Sequence, residues 1–293
     1  MEQVNKKQTV AVVTDSVAQV PDEVARQLNI TVIPFYVNYG GKTYLDGIDL
    51  APNELYQRMR VDKSLPTTAA PSVGQYMEVF RSILDQGAQE VLLVSLSSKL
   101  SSGYNTALMA ARQLHDDYPD RSIEIMDSRQ ATITEGFVAI GAARAAMEGK
   151  SLPEVIKAAN AAGARSGFAV TVETLEYLAR GGRVGRAAYL VGSLIDIKPI
   201  LIIDKEGVVA PIKNVRSKSH AIHEIVDVVA EKVQGCQNLT LAIMQADAPQ
   251  DAAVLKDLTL QKLSPSRLFY SEFTPVMGVH TGPGLVGLAY YYE

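Results

Sequence analysis

The stretch Glu90-Val91-Leu92-Leu93-Val94-Ser95-Leu96-Ser97-Ser98-Lys99-Leu100-Ser101-Ser102-Gly103 reads as a buried strand that runs into a hydroxyl-rich loop and opens a helix. Residues 90–96 are almost continuously apolar, the pattern of a strand covered on both faces. The Ala/Leu-rich residues 103–118 that follow have helical composition. The same step occurs twice more. Residues 9–13 lead into Thr14-Asp15-Ser16, and residues 122–126 lead into Asp127-Ser128. Helical segments are expected at 21–28, 52–60, 73–86 and 131–148, the third with Tyr76, Val79, Phe80 and Ile83 on one face and the last ended by Gly149. Residues 30–38 read as one further strand, and Gly40-Gly41 turn into another at 42–45. This alternation predicts an α/β fold whose N-terminal half is a mostly parallel sheet flanked by helices.

The second half has a different grammar. A helix at 152–162 precedes a strand at 167–172 and a helix near 173–179, followed by the basic, glycine-rich run Arg180-Gly181-Gly182-Arg183-Val184-Gly185-Arg186. Strands at 199–204 and 208–213 flank Lys205-Glu206-Gly207, a hairpin signal. A helix at 219–234 and strands at 239–244, 268–272 and 284–291 complete a second α/β unit with a mixed sheet. A boundary between 150 and 166 gives units of 1–160 and 161–293.

Bulk properties restrict the function. The 293 residues carry a net charge of −4, and no basic block offers the clustered Lys/Arg that nucleic acid requires. A single cysteine, Cys236, cannot form an intramolecular disulfide and fits a reducing compartment. The apolar run at 10–13 is too short for a signal-peptide core, and no segment approaches the ~20 apolar residues of a membrane span. A soluble, cytoplasmic protein without stable membrane insertion is expected.

Three strands ending in hydroxyl and carboxyl groups would gather those groups at one sheet edge, where open α/β sheets bind ligands. Taken singly, each cluster is equally a set of helix caps. Ser101-Ser102-Gly103 is the most informative, because a Ser/Gly loop at a helix start offers free backbone N–H groups to an anion. Thr67-Thr68-Ala69-Ala70-Pro71-Ser72 is a second hydroxyl loop, with Ser72 placed to cap a helix. His280 lies in Gly278-Val279-His280-Thr281-Gly282-Pro283-Gly284, read as a sharp, rigid loop in which the imidazole either contacts a ligand or bonds to backbone. His115 reads as a surface residue at a helix end. His220 and His223 lack further ligands at metal-binding spacing, so no metal is expected. The arginines 180, 183 and 186 bind an anion or partner, or form a solvated helix-end loop. There is no G-x-S-x-G elbow, no P-loop (Arg144 stands where its first glycine would be) and no G-x-G-x-x-G. The residues by themselves describe an anion-friendly hydroxyl site with no catalytic residues identified.

The ordered set Thr14-Asp15-Ser16, Thr67–Ser72, Ser97–Asn105, Asp127-Ser128, Leu175–Arg183, Lys198-Pro199-Ile200-Leu201 and the His280 segment resembles the DegV family over nearly the whole chain. The resemblance implies a two-domain fold with a long-chain fatty acid buried between the domains. It further implies a partner, the catalytic subunit of an ATP-dependent fatty acid kinase, which phosphorylates the carboxylate for phospholipid synthesis while the carrier holds the chain. Carried onto this sequence, the carboxylate ligands are Thr68, Ser101 and His280, with Ser16, Ser102, Gly103, Ser128 and Arg183 lining the site and Arg216 docking the kinase. No catalytic residue and no cofactor are implied, only the bound fatty acid. Ala69 stands where the family usually has serine, and Ser102-Gly103 where it usually has Gly-Thr. Burying about fifteen methylenes at ~0.8 kcal/mol each would supply on the order of 12 kcal/mol before ordering costs. Ile33, Phe35, Phe168, Leu194, Ile195 and Met277 are the apolar candidates for the tunnel. The competing readings are a Ser101/His280 hydrolase, a small-molecule phosphotransferase and a ligand-controlled regulator.

Overall fold

The computed structural model describes residues 9–62, 64–192 and 197–293. In chain order its first part holds β1 (Val10–Asp15), α1 (Asp22–Gln27), β2 (Ile30–Ile33), β3 (Tyr36–Tyr39), β4 (Lys42–Leu45), α2 (Pro52–Val61), β5 (Thr67–Ala69), α3 (Val73–Asp85), β6 (Glu90–Ser95), α4 (Gly103–Leu114), β7 (Ser122–Asp127), α5 (Ile133–Met147) and α6 (Leu152–Ala164). Then come β8 (Ser166–Thr171), α7 (Glu176–Arg180), β9 (Lys198–Ile203), β10 (Val209–Val215), α8 (Lys218–Lys232), β11 (Thr240–Ala246), α9 (Pro249–Lys262), β12 (Arg267–Glu272), α10 (Pro275–Thr281) and β13 (Leu285–Tyr291).

The parallel sheet has the order β2-β1-β6-β7, with every pair parallel. Its central strands β1 and β6 are apolar almost throughout because both their faces are covered. Val10, Val12, Leu92 and Val94 face the Ala-rich helices α5 and α6, whereas Val13, Val91 and Leu93 face Tyr76, Phe80 and Leu84 of α3 and Ala107, Ala110 and Leu114 of α4. Helix α5 is buried nearly all round, as an evenly apolar helix must be. It packs on α6 and β1 and also reaches β8 and β13 of the second sheet. The expected division at 160/161 falls inside α6.

The second sheet is mixed, in the order β10-β9-β8-β13-β11-β12, with only β11–β12 parallel. One face is covered by α8 and α9 through Ala169, Ile200, Leu241, Ile243, Val286 and Leu288. The opposite face, with Val170, Leu201, Met244 and Leu285, belongs to a core shared with the first half of the chain. That sharing places the carboxyl edge of one sheet against the face of the other.

Four segments depart from the sequence reading. Residues 30–38 are two strands, because Pro34 has no N–H for a ladder and the amide of Phe35 donates to Ser16 Oγ at 3.1 Å. As a result β2 joins the parallel sheet, while β3 forms a small antiparallel sheet with β4 and β5. Thr67–Ala69, expected as loop, is that third strand, with Thr68 opposite Val37. His280 lies in the last turn of α10 rather than in a loop; Pro275 starts this helix and Gly282, at φ 69°, ends it. Helix α9 has no counterpart among the expected elements, since Val254 and Leu260 are exposed and blur the stripe made by Ala252, Leu255 and Thr259. Among the described residues no helix is long and apolar enough to cross a membrane.

Candidate functional site

A cavity of about 400 Å³ lies between the carboxyl edge of the parallel sheet and the inner face of the mixed sheet. Val17, Leu96 and Ala131, each just beyond a parallel strand, form one side. Phe168, Val170, Leu201, Val209 and Leu285 form the other, and Phe35, Val276 and Met277 close it. Such volume and apolar lining are typical of a small-molecule site. Phe35, Phe168 and Met277 thus stand where the sequence reading placed them. Ile33 does not line the cavity; it packs with Val13, Tyr76 and Phe80 under the parallel sheet. Leu194 and Ile195 lie outside the described residues.

One polar cluster interrupts this lining: Thr68, Ser101, Ser102, Arg183 and His280. They arrive from β5, the loop before α4, the turn after α7 and α10, so only tertiary folding joins them. Thr68 Oγ1 and His280 Nε2 are 2.8 Å apart. Ser101 Oγ accepts from the amide of Gly103, the first residue of α4, at 3.0 Å, and Ser102 makes no side-chain cap. Arg183 Nε donates to the carbonyl of Leu100 at 2.8 Å and its Nη1 donates to the carbonyl of Gly181, tying the serine loop to the glycine turn. Burial pushes the His280 imidazole down to about 4, and the positive charge of Arg183 adds to the effect. The ring is therefore neutral at pH 7. Its Nδ1 has no partner among the described residues and lies against Gly181.

No carboxylate lines the cavity among the described residues. A fixed arginine, hydroxyls and a helix start without competing acids have the chemistry that suits one carboxylate or similar anion. Among the described residues no acid interacts with His280, and its Nε2 pairs with Thr68 and not with Ser101, an arrangement unlike a Ser-His catalytic pair.

Other residues singled out in the sequence lie elsewhere. Ser16 is off the cavity wall, since its hydroxyl donates to Asp46 Oδ2 at 2.6 Å and accepts from Phe35 N. Ser128 is also off the wall, its Oγ accepting from the amide of Gln130 at 3.0 Å in a local turn. Gly103 stands behind Ser101, where a Cβ would lie 3.2 Å from both Phe35 and Tyr76. Arg216 is exposed beyond β10, away from the cavity. Of the other arginines, Arg180 pairs with Glu176, and Arg186 with Asp204 at 2.5 Å and Glu206 at 3.3 Å. Capping does explain part of the hydroxyl pattern: Asp15 caps the 3-10 turn Ser16–Ala18, and Ser72 forms a capping box with Gln75. Sequence reasoning missed Thr132 on the cavity wall and Glu135, and Asp15, which it placed with the groups at the sheet edge, is fully buried beside Glu135. Both carboxyls are raised by burial, Asp15 to about 6. Glu135 sits within an Ala-rich helical pattern and carries no motif signal.

Comparison with known proteins fits this geometry. A DegV domain-containing protein of Clostridium acetobutylicum is 32% identical over 284 residues, covering 97% of this chain and 98% of its own. A DegV-family protein of Thermus thermophilus, whose structure is described as fatty-acid binding, superposes with a TM-score of 0.89 at 30% identity, covering 97% of this chain and all of that one. A stearic-acid-binding protein of Eubacterium ventriosum superposes with a TM-score of 0.84 at 27% identity, covering 97% of this chain and 98% of its own. The family model described as an uncharacterised protein of the DegV family matches residues 9–293, and with this fold and this cavity the chain belongs to the DegV family.

Proposed function

We propose that this protein carries a long-chain fatty acid, with the acyl chain in the apolar cavity and the carboxylate on Thr68, Ser101 and His280. Ser102 and Arg183 complete the head-group site. The observation that carries this reading is the pairing of one apolar cavity with one anion-friendly polar cluster and no lining acid. The names of the Thermus and Eubacterium relatives support it. In this reading units 1–160 and 161–293 close on the chain from opposite sides, and the protein acts as a carrier without catalysing a reaction itself.

The finer step is presentation of the carboxylate to the catalytic subunit of a fatty acid kinase in the cytoplasm, which would form an acyl phosphate for phospholipid synthesis. Its support is the family resemblance together with Arg216, an exposed arginine outside the cavity. Native mass spectrometry of the purified protein, followed by denaturing extraction, tests the carrier role. The expected result is a stoichiometric adduct that extracts as a long-chain carboxylic acid. A ligand-free protein that takes up no added fatty acid refutes it.

A further inference from the structure

Strand register arranges one wall of the cavity in rows. Val172, just past the end of β8, lines it together with Val170 and Phe168, which share one face because side chains alternate along a strand. Val170 lies opposite Leu201 of β9, and the same antiparallel register sets Phe168 beside Ile203. Ile203 pairs with Val209 of β10, and Ala289 of β13 flanks Phe168 on its other side. Leu285 opens β13 shortly after α10, the helix of His280, and stands level with Val172. The Val172 row is therefore the head-group end, and the Phe168 row lies about 13 Å further along the strand. Among the described residues, nothing beyond that row on β8, β9, β10 or β13 lines the cavity.

This far row is held from both sides. In the turn between β9 and β10 the Asp204 carboxylate accepts from the amides of Glu206 and Val208, each at 3.0 Å. Ser97 clasps the tip of that turn, its Oγ donating to the carbonyl of Gly207 at 2.8 Å. Ile203 and Val209 flank the turn and are fixed with it. On the other side Tyr291, the next residue of β13 on the Ala289 face, stacks on Phe137 of α5 with ring centroids 5.4 Å apart. Phe168 stands between these flanks as the largest side chain of its row. A chain that runs from the head group past Val170 meets it, and methylenes add affinity only while they are being buried.

We propose that Phe168 is a specificity-determining residue that sets the longest acyl chain the cavity buries, the methyl end of the chain meeting the Phe168 row. The proposal rests on reading the cavity as an acyl-chain site. The test is displacement of a fluorescent fatty acid from delipidated protein by the straight-chain saturated acids from dodecanoic to docosanoic. Affinity for the wild type should rise about fourfold per added methylene and then stop rising at one chain length. Phe168→Ala should move that break to a chain about two or more carbons longer, because loss of the ring leaves space for further methylenes. Should the alanine variant fail to fold, Phe168→Leu keeps an apolar side chain and should move the break in the same direction by a smaller step. Val172→Ala, in the head-group row, should weaken all chains alike and leave the break in place. The proposal is overturned if the wild type shows no break, if the break stays in place when Phe168 is shortened, or if Val172→Ala moves it equally. If no saturated acid binds the wild type, the carrier reading falls with it, which distinguishes the two failures.

Discussion

Neighbouring glycines Gly181 and Gly182 should fail in opposite ways when replaced by alanine. Gly181 has ordinary helical geometry, φ −72° and ψ −12°, so its backbone accepts alanine, and the lost freedom of the unfolded chain would favour folding by ~0.4–1 kcal/mol. Its Cβ, however, would lie 2.4 Å from His280 Nδ1, and ordinary contact begins near 3.4 Å. The imidazole must retreat by about 1 Å, which takes its 2.8 Å contact with Thr68 beyond hydrogen-bonding range. Loss of a hydrogen bond to a charged carboxylate costs ~1.5–3 kcal/mol, or about 10- to 150-fold in affinity. Gly182 reverses the case. At φ +73° with no atom within 4 Å of a Cβ, alanine there meets strain of ~1–2 kcal/mol and no steric contact. Titrating each delipidated variant with a fluorescent fatty acid, and melting the ligand-free proteins in parallel, separates the two effects. Gly181→Ala should lose affinity and keep its Tm, while Gly182→Ala should lose Tm and keep its affinity. Wild-type affinity in Gly181→Ala, or an equal loss in Gly182→Ala, would refute the placement of His280 in the site.

Acid stability should depend on His280. Its folded-state value is about 4 against 6.5 for the free side chain, so the stability it allows is complete above pH 6.5 and is lost as pH falls towards 4, on the order of 3 kcal/mol. Asp15, raised to about 6, acts oppositely: its contribution is present below pH 3.8 and lost as pH rises through 6. That slope is common to both proteins, so urea denaturation across pH 4–7 should show a flatter acid limb in ligand-free His280→Gln; an unchanged limb would contradict the buried neutral ring. Ser16→Ala should lower stability by ~1–3 kcal/mol without changing fatty-acid affinity, because its hydroxyl bridges Asp46 and Phe35 N away from the cavity wall. A matching loss of affinity would return Ser16 to the site. Arg216→Ala should leave retention intact and impair acyl-phosphate formation with a fatty acid kinase; normal turnover would remove Arg216 from docking.

Legibility in the sequence followed the range of the interaction. The run at 90–96 has an apolar side chain at nearly every position, and the structure shows why, with alternate residues meeting α5–α6 and α3–α4. Parallel pairing then brings the ends of β1, β6 and β7 to one edge. Which of the hydroxyls at that edge face a ligand was not legible. Ser16, Ser98 and Ser128 look like Ser101 in sequence, yet Ser98 donates to Asp127 at 2.6 Å and the other two are held by Asp46 and Gln130. Of these serines, Ser101 and its neighbour Ser102 line the cavity.

Local pattern by itself determined most of the strands, most of the helices and the parallel character of the first sheet, because periodicity and caps act within a few residues. Tertiary structure alone decided that Thr68 meets His280 across 212 positions of chain and that Gly181 leaves room for that imidazole. Those features depend on how one sheet's edge is set against another's face, and that placement is governed by buried contacts between segments remote in sequence, which no short-range pattern encodes.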